Sequence, residues 1–244
     1  MKTVATIEAR MASTRLPGKV MLAALGRPML QHLVTRLQSV TSLDAIVLAT
    51  TTDPGDDVLE SLARHLGVAC YRGSEDDVMG RVICAARSAG ADVVCEVTGD
   101  CPIIDPQVVG QVIRTFHAND AAYVGNAHVR SYPDGMDVQV FRLDTLEASA
   151  SMTTAARDRE HVTLHIRLHP ELFPPIHVVA PPEMHWPELG LTLDEPDDYT
   201  LLRTIIEHFG EEKPLFGCAD VVRLLRERPS LVEINRDVRR TGDA

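Results

Sequence analysis

A chain of 244 residues with 45% hydrophobic content is long enough to bury a full core as one larger domain. Its formal net charge of −11 disfavours a nonspecific nucleic-acid partner or an anionic membrane surface, and no apolar run approaches the length of a membrane span. Five cysteines (Cys70, Cys84, Cys95, Cys101, Cys218) without a C-x-x-C pair, behind an N terminus unlike a signal peptide, predict a cytoplasmic protein.

The first expected element is a short apolar strand, Val4 to Ile7, running into Glu8-Ala9-Arg10-Met11-Ala12-Ser13-Thr14-Arg15-Leu16-Pro17-Gly18-Lys19. Three cations and a hydroxyl share this loop, with Pro17 and Gly18 fixing its bend. Arginine forks grip phosphate oxygens in pairs and lysine adds a point charge, so the loop suits a polyphosphate better than a solvated basic turn does. A helix follows from about Pro28 to Ser39, with Leu30, Leu33, Val34 and Leu37 on one face. Strand Ala45 to Leu48 leads through Thr50-Thr51-Thr52-Asp53 to a helix over about 56–66 carrying Val58, Leu62 and Leu66. Strand Val68 to Tyr71 ends at Arg72-Gly73-Ser74, where Ser74 is the expected N-cap of a helix carrying Val78, Val82 and Ala85. Strand Val93 to Val97 ends at Thr98-Gly99-Asp100-Cys101-Pro102.

Strand and helix alternating in this way predict a parallel sheet with right-handed crossovers and ligands at the carboxyl ends of its strands, where four polar loops gather. From Gly125 to Phe141 the pattern changes to a hairpin turning at Ser131 to Gly135, with Met136, Val138 and Val140 on one face. Helical spacing resumes over Leu143 to Ser149 and Arg159 to Leu168. The chain returns through Ile176 to Ala180 and the acidic run 192–198. Helices around Tyr199 to Phe209 and Ala219 to Glu227 precede a polar tail, Arg236 to Ala244.

A polyphosphate bound to an acidic protein calls for a local positive pocket and a divalent cation with hard oxygen ligands. Asp100 ends the fourth strand beside Gly99, which permits close backbone approach, and Leu191 and Leu193 mark a short strand that would deliver Asp194 to the same rim. Asp197 and Asp198 read as acids of a helix first turn, as do Glu75, Asp76 and Asp77. Cys101 has no activating histidine at short spacing, and His165 and His169 lack the glutamate of an H-E-x-x-H pair.

The pattern Arg10-x-x-Ser13-x-Arg15-x-Pro17-x-Lys19 resembles the activating loop of the cytidylyltransferases that make CMP-Kdo and CMP-sialic acid, and more closely the spore-coat polysaccharide group of that superfamily. The resemblance implies a Rossmann-like three-layer α/β sandwich with a mostly parallel sheet, GT-A-like, in a single domain over 1–244. A small dimerisation arm at about 126–175 and a homodimer come with it. It implies transfer of CMP from CTP to a sugar acid with release of pyrophosphate, and Mg²⁺ as cofactor. Arg10, Arg15 and Lys19 would hold the triphosphate and, with Asp100, carry catalysis. Ala9, Ser13, Thr50, Arg72, Gly73, Ser74 and Thr98 would complete the nucleotide pocket. Asp100 and Asp194 would bind metal, the latter in an Asp-x-Pro-x-Asp segment matched by Asp194, Pro196 and Asp198. Acceptor candidates are Arg130, Asp134 and Asp137 at the hairpin and Arg159, Glu160 and His161 at the next helix, where an ion-paired solvated surface is the competing reading. The chain departs from the sialic-acid and Kdo enzymes at Thr98, where they commonly place glutamine. A phosphonate or phosphorylated alcohol as acceptor stays open, as do a glycosyltransferase of the same sheet type and a nucleotide-binding protein without turnover.

Overall fold

Side-chain alternation along β1 (Thr3–Glu8) separates two apolar cores: Ala5 and Ile7 pack into one and Val4 into the other. The structure is a computed structural model and describes residues 1–240. β2 (Ala23–Ala24) and β3 (Arg27–Pro28) form a small antiparallel ribbon before α1 (Met29–Gln38). β4 (Ala45–Thr51), α2 (Asp57–His65), β5 (Ala69–Gly73), α3 (Val78–Ser88) and β6 (Val93–Thr98) continue the strand and helix alternation. α4 (Pro106–His117) leads to β7 (Tyr123–Gly125) and β8 (Gln139–Arg142). Helices α5 (Leu143–Met152), α6 (Ala156–Glu160) and α7 (Leu164–Leu168) precede β9 (Pro175–His177). α8 (Pro196–Phe209), α9 (Cys218–Glu227) and the single turn α10 (Pro229–Val232) follow.

The seven-stranded sheet has the order β5-β4-β1-β6-β8-β7-β9. Only β8 runs against its neighbours, pairing antiparallel with β6 and β7, so the sheet is mostly parallel as expected. Helices α1, α2, α4, α8 and α9 cover one face through residues such as Leu33, Leu59, Val109, Leu202 and Val222. α3, α5 and α7 cover the other through Val82, Leu146 and Ile166. Three layers result, with the carboxyl ends of β1 and β6 side by side, Glu8 opposite Thr98.

Several elements differ from the sequence expectation for local reasons. α2 buries Leu59, Leu62 and Ala63 and turns Val58 to solvent. Asp77, not Ser74, caps α3: its carboxylate accepts the Gly80 N–H at 2.9 Å, while the Ser74 hydroxyl accepts from the Asp77 N–H one turn earlier. The helix expected over Arg159 to Leu168 breaks at His161, whose φ and ψ of −101° and 84° leave the helical region. α4 was not expected, although Asp105 as N-cap and Pro106 in the first turn are start signals. Leu191 to Leu193 forms no strand and bends at Thr192. It docks by N–H bonds from Leu191 to the Asp134 carbonyl and from Leu193 to the Asp100 carbonyl, each 2.8 Å. The C-terminal segment is not a loose tail as far as Arg240, which reaches Asp198 and Thr192; residues 241–244 lie outside the described residues. Among the described residues no helix is long and apolar enough to cross a membrane.

Candidate active site

The site begins where β1 and β6 end. Gly99 lies so close to β1 that its N–H donates to the Glu8 carbonyl at 2.8 Å, and a Cβ there would stand 2.7 Å from that oxygen and 2.9 Å from the Ala9 Cβ. Only glycine lets the two strand ends meet and still releases the chain into Asp100. Gly99→Ala is expected to cost about 1–3 kcal/mol by overpacking and to displace Asp100, lowering turnover at least tenfold; denaturant unfolding and a pyrophosphate assay check both.

Beyond β1, Gly18 takes a left-handed φ of 70° and turns the loop so that Lys19 points back to the rim. The loop is anchored from beneath by Asp56, which accepts the Met11 N–H at 2.7 Å and the hydroxyls of Thr50 and Thr51 at 2.9 and 2.5 Å. Burial works against that carboxylate, but these donors outweigh it and hold Asp56 below the usual carboxylate range.

Five charged groups then converge. The Lys19 ammonium lies 2.9 Å from Asp194 and 3.2 Å from Asp100, and Arg15 lies 2.9 Å from the same Asp194 oxygen and 3.7 Å from Glu195. Burial opposes the charge on Lys19, yet the two carboxylates overcome it and raise its pKa. Asp194 is likewise penalised by burial and pulled below its ordinary value by Lys19 and Arg15. Asp100 is delivered by β6. Asp194 is held by the buried Asp198, which accepts the Asp194 and Glu195 N–H groups in the capping box of α8. Arg10 pairs with Glu75 at 2.9 Å, both about half exposed, so the pair is weak and its guanidinium can be redirected cheaply.

Arg10, Arg15, Lys19, Asp100 and Asp194 line a cleft of about 950 Å³. Of the expected site residues it takes in Ala9, Arg10, Ser13, Arg15, Lys19, Thr98, Asp100, Glu160, His161 and Asp194. The others lie elsewhere. Thr50 is fully buried on Asp56, and Arg72 is engaged by Asp57, Glu60 and the carbonyls of Thr51 and Asp53. Gly73 closes β5, and Ser74 supports the turn into α3. Arg159 forks onto Asp77 at 2.6 and 2.8 Å. Arg130 borders Asp134, and Asp137 sits against Asp134, where burial and that neighbour push its carboxyl up to about 7.

Sequence reasoning missed further residues that line the cleft, Glu8, Arg81, Glu96, Gln139, Thr163 and Arg167. The available signal was an acidic residue interrupting each of two apolar strands, Glu8 in β1 and Glu96 in β6. Cys101 is 2% exposed and its thiol is pushed up by burial, which agrees with the absence of a nucleophilic role.

Asp100 and Asp194 present hard oxygens that meet at one ammonium, so they fit a divalent cation once Lys19 turns towards a phosphate. Among the described residues no group of three His, Cys, Asp or Glu side chains could hold a metal by itself, which leaves phosphate oxygens and water to complete the shell.

Residues 4–213 match the family described as Cytidylyltransferase. The chain belongs to that family. The cytidylyltransferase is 31% identical over 230 residues to the spore coat polysaccharide biosynthesis protein SpsF of Bacillus subtilis, covering 91% of this chain and 93% of that one. It is 31% identical over 149 residues to a 3-deoxy-manno-octulosonate cytidylyltransferase of Geobacter sulfurreducens, 59% of this chain and 58% of that one. A solved cytidylyltransferase from Leptospira borgpetersenii superposes with a TM-score of 0.91 at 29% identity, over 99% and 100% of the two chains. The fold is shared with a CMP-2-keto-3-deoxy-manno-octonic acid synthetase complexed with CTP, at a TM-score of 0.65 and 19% identity over 85% and 99% of the two chains. The cytidylyltransferase is thus an enzyme of nucleotidyl transfer.

Proposed function

We propose that this cytidylyltransferase transfers CMP from CTP to a hydroxyl of a sugar acid, releasing pyrophosphate. The observation that carries the reading is the meeting of Arg15 and Lys19 with Asp100 and Asp194 in a cleft roomy enough for a nucleotide and a small acceptor. The acceptor oxygen bonds to the α-phosphorus, the bond from that phosphorus to the β-bridging oxygen breaks, and the hydroxyl proton passes to solvent. Such a displacement needs positioning and charge neutralisation more than a covalent partner. Lys19 and Arg15 exchange their carboxylates for β- and γ-phosphate oxygens and stabilise the leaving pyrophosphate, and Arg10 leaves Glu75 to join them. Mg²⁺ would be held by Asp100 and Asp194, where it would neutralise charge at phosphorus and favour ionisation of the attacking hydroxyl. Glu160 and His161 line the cleft and would meet the acceptor. The same reading has the protein as a homodimer joined through the arm at 126–175, where Met152, Leu168 and Leu172 are exposed.

The test is incubation with each nucleoside triphosphate and a panel of ulosonic acids, phosphonates and phosphorylated alcohols, following pyrophosphate. CTP with a ulosonic acid is expected to give release and a CMP-linked product. Release with only a phosphonate or phosphorylated alcohol, or with another nucleotide, would overturn the assignment.

A further inference from the structure

We propose that Thr192 and Arg240 are positioning residues that orient the Asp194 carboxylate, so that the C-terminal strap 235–240 acts on the chemistry of the cleft. This rests on the reading of Asp194 as a metal ligand above and adds what aims it. Asp100 follows β6 directly, but Asp194 sits on a segment that is neither strand nor helix, so no sheet ladder fixes its direction. Its two oxygens are nevertheless used differently. Oδ1 faces the Lys19 ammonium and the Arg15 guanidinium, each at 2.9 Å, and Oδ2 accepts the Thr192 hydroxyl at 3.1 Å.

Arg240 sets the sense of that last bond. Its Nη1 lies 2.8 Å from the Thr192 hydroxyl oxygen and 3.4 Å from the Thr192 carbonyl, and its Nη2 lies 2.7 Å from Asp198. A guanidinium only donates, so the hydroxyl oxygen accepts from Arg240 and the single hydroxyl proton is left for Asp194. The donor chain from Arg240 through Thr192 therefore occupies Oδ2 and leaves Oδ1 turned towards the cations of the cleft. The strap is itself fixed. Asn235 donates to the Gly190 carbonyl at 3.0 Å and to Asp198 at 2.8 Å, and the Arg239 carbonyl accepts from Arg15 at 3.2 Å. A Cβ on Gly190 would overlap the Arg240 guanidinium, so glycine is what lets the arginine lie against this segment. Asp198 neutralises Arg240, and Asp194 meets a hydroxyl on this side instead of another cation that would compete with a metal.

Mn²⁺ serves as the probe, because it takes the same oxygen ligands as Mg²⁺ and its binding is read by electron paramagnetic resonance without turnover. It is titrated into the full chain held in excess over CTP, with no acceptor present. Thr192→Val is expected to weaken Mn²⁺ by about tenfold or more, the usual cost of removing a hydrogen-bond partner from a metal ligand. Thr192→Ser, which keeps the hydroxyl, should stay within about threefold of wild type. Gly190→Ala, which pushes the guanidinium aside and leaves Thr192 and Asp194 in sequence, should weaken Mn²⁺ in the same direction as Thr192→Val. Asp194→Asn separates the positioning role from the metal reading beneath it. Loss of Mn²⁺ in Asp194→Asn with wild-type affinity in Thr192→Val would overturn the positioning role and leave Asp194 as a ligand. Unchanged Mn²⁺ in Asp194→Asn would overturn both. An equal loss in Thr192→Ser and Thr192→Val would show that the packing of threonine matters and its hydroxyl does not, and wild-type affinity in Gly190→Ala would remove Arg240 from the donor chain; either result overturns the proposal.

Discussion

Lys19→Met is expected to lower kcat/KM for CTP by roughly 10²–10³ while leaving the fold intact, the loss typical of removing one preorganised group that stabilises transition-state charge. The ammonium lies within 3.2 Å of both Asp100 and Asp194, and on the proposed reading it would leave them for the phosphates of CTP. Methionine keeps the stem but leaves the carboxylates to Arg15 and solvent. Asp194, held below its ordinary pKa by Lys19 and Arg15 despite burial, should then titrate higher. Pyrophosphate release at saturating acceptor measures the first effect and far-UV circular dichroism verifies the fold. Turnover within a few-fold of wild type would remove Lys19 from the chemistry.

Asp198→Ala is expected to give the largest loss of stability, about 3–5 kcal/mol, the range for breaking a buried ion pair by deleting one partner. Asp198 is fully buried, and each of its oxygens has two donors. One takes the N–H groups of Asp194 and Glu195, and the other takes Asn235 at 2.8 Å and Arg240 at 2.7 Å. Its removal strands the Arg240 guanidinium and two helix N-terminal donors, and unlocks the segment that presents Asp194. A fall in Tm of roughly 10 °C should accompany it, at the ~2–4 °C per kcal/mol usual for chains of this size. Asp198→Asn, which keeps the shape and loses the charge, should lie between the two. Thermal and urea unfolding measure both variants, and wild-type Tm in Asp198→Ala would show the hub to be redundant.

The same residue shows where reading the chain stopped short. In sequence Asp198 is one acid among several at the start of a helix, and it does cap α8. Its tie to Arg240, 42 positions away, has no local signature. Likewise, Thr50 and Arg72 close the strands β4 and β5 and Ser74 follows β5, but their side chains are spent on Asp56, on Asp57 and Glu60, and on the turn into α3. Loop position is legible from strand order. Side-chain commitment depends on which partner folds nearest.

Apolar periodicity and turn chemistry are local properties, so the alternating strands and helices, the mostly parallel sheet, and a cationic loop after β1 facing an aspartate after β6 could be read along the chain. Folding in three dimensions was needed to bring Asp194, 175 positions from Lys19, to 2.9 Å from it, and to set Glu8 and Glu96 in one cleft. Those juxtapositions come from strand pairing and from the docking of distant segments onto strand ends, where contacts across the sheet, not neighbours along the chain, set burial and charge.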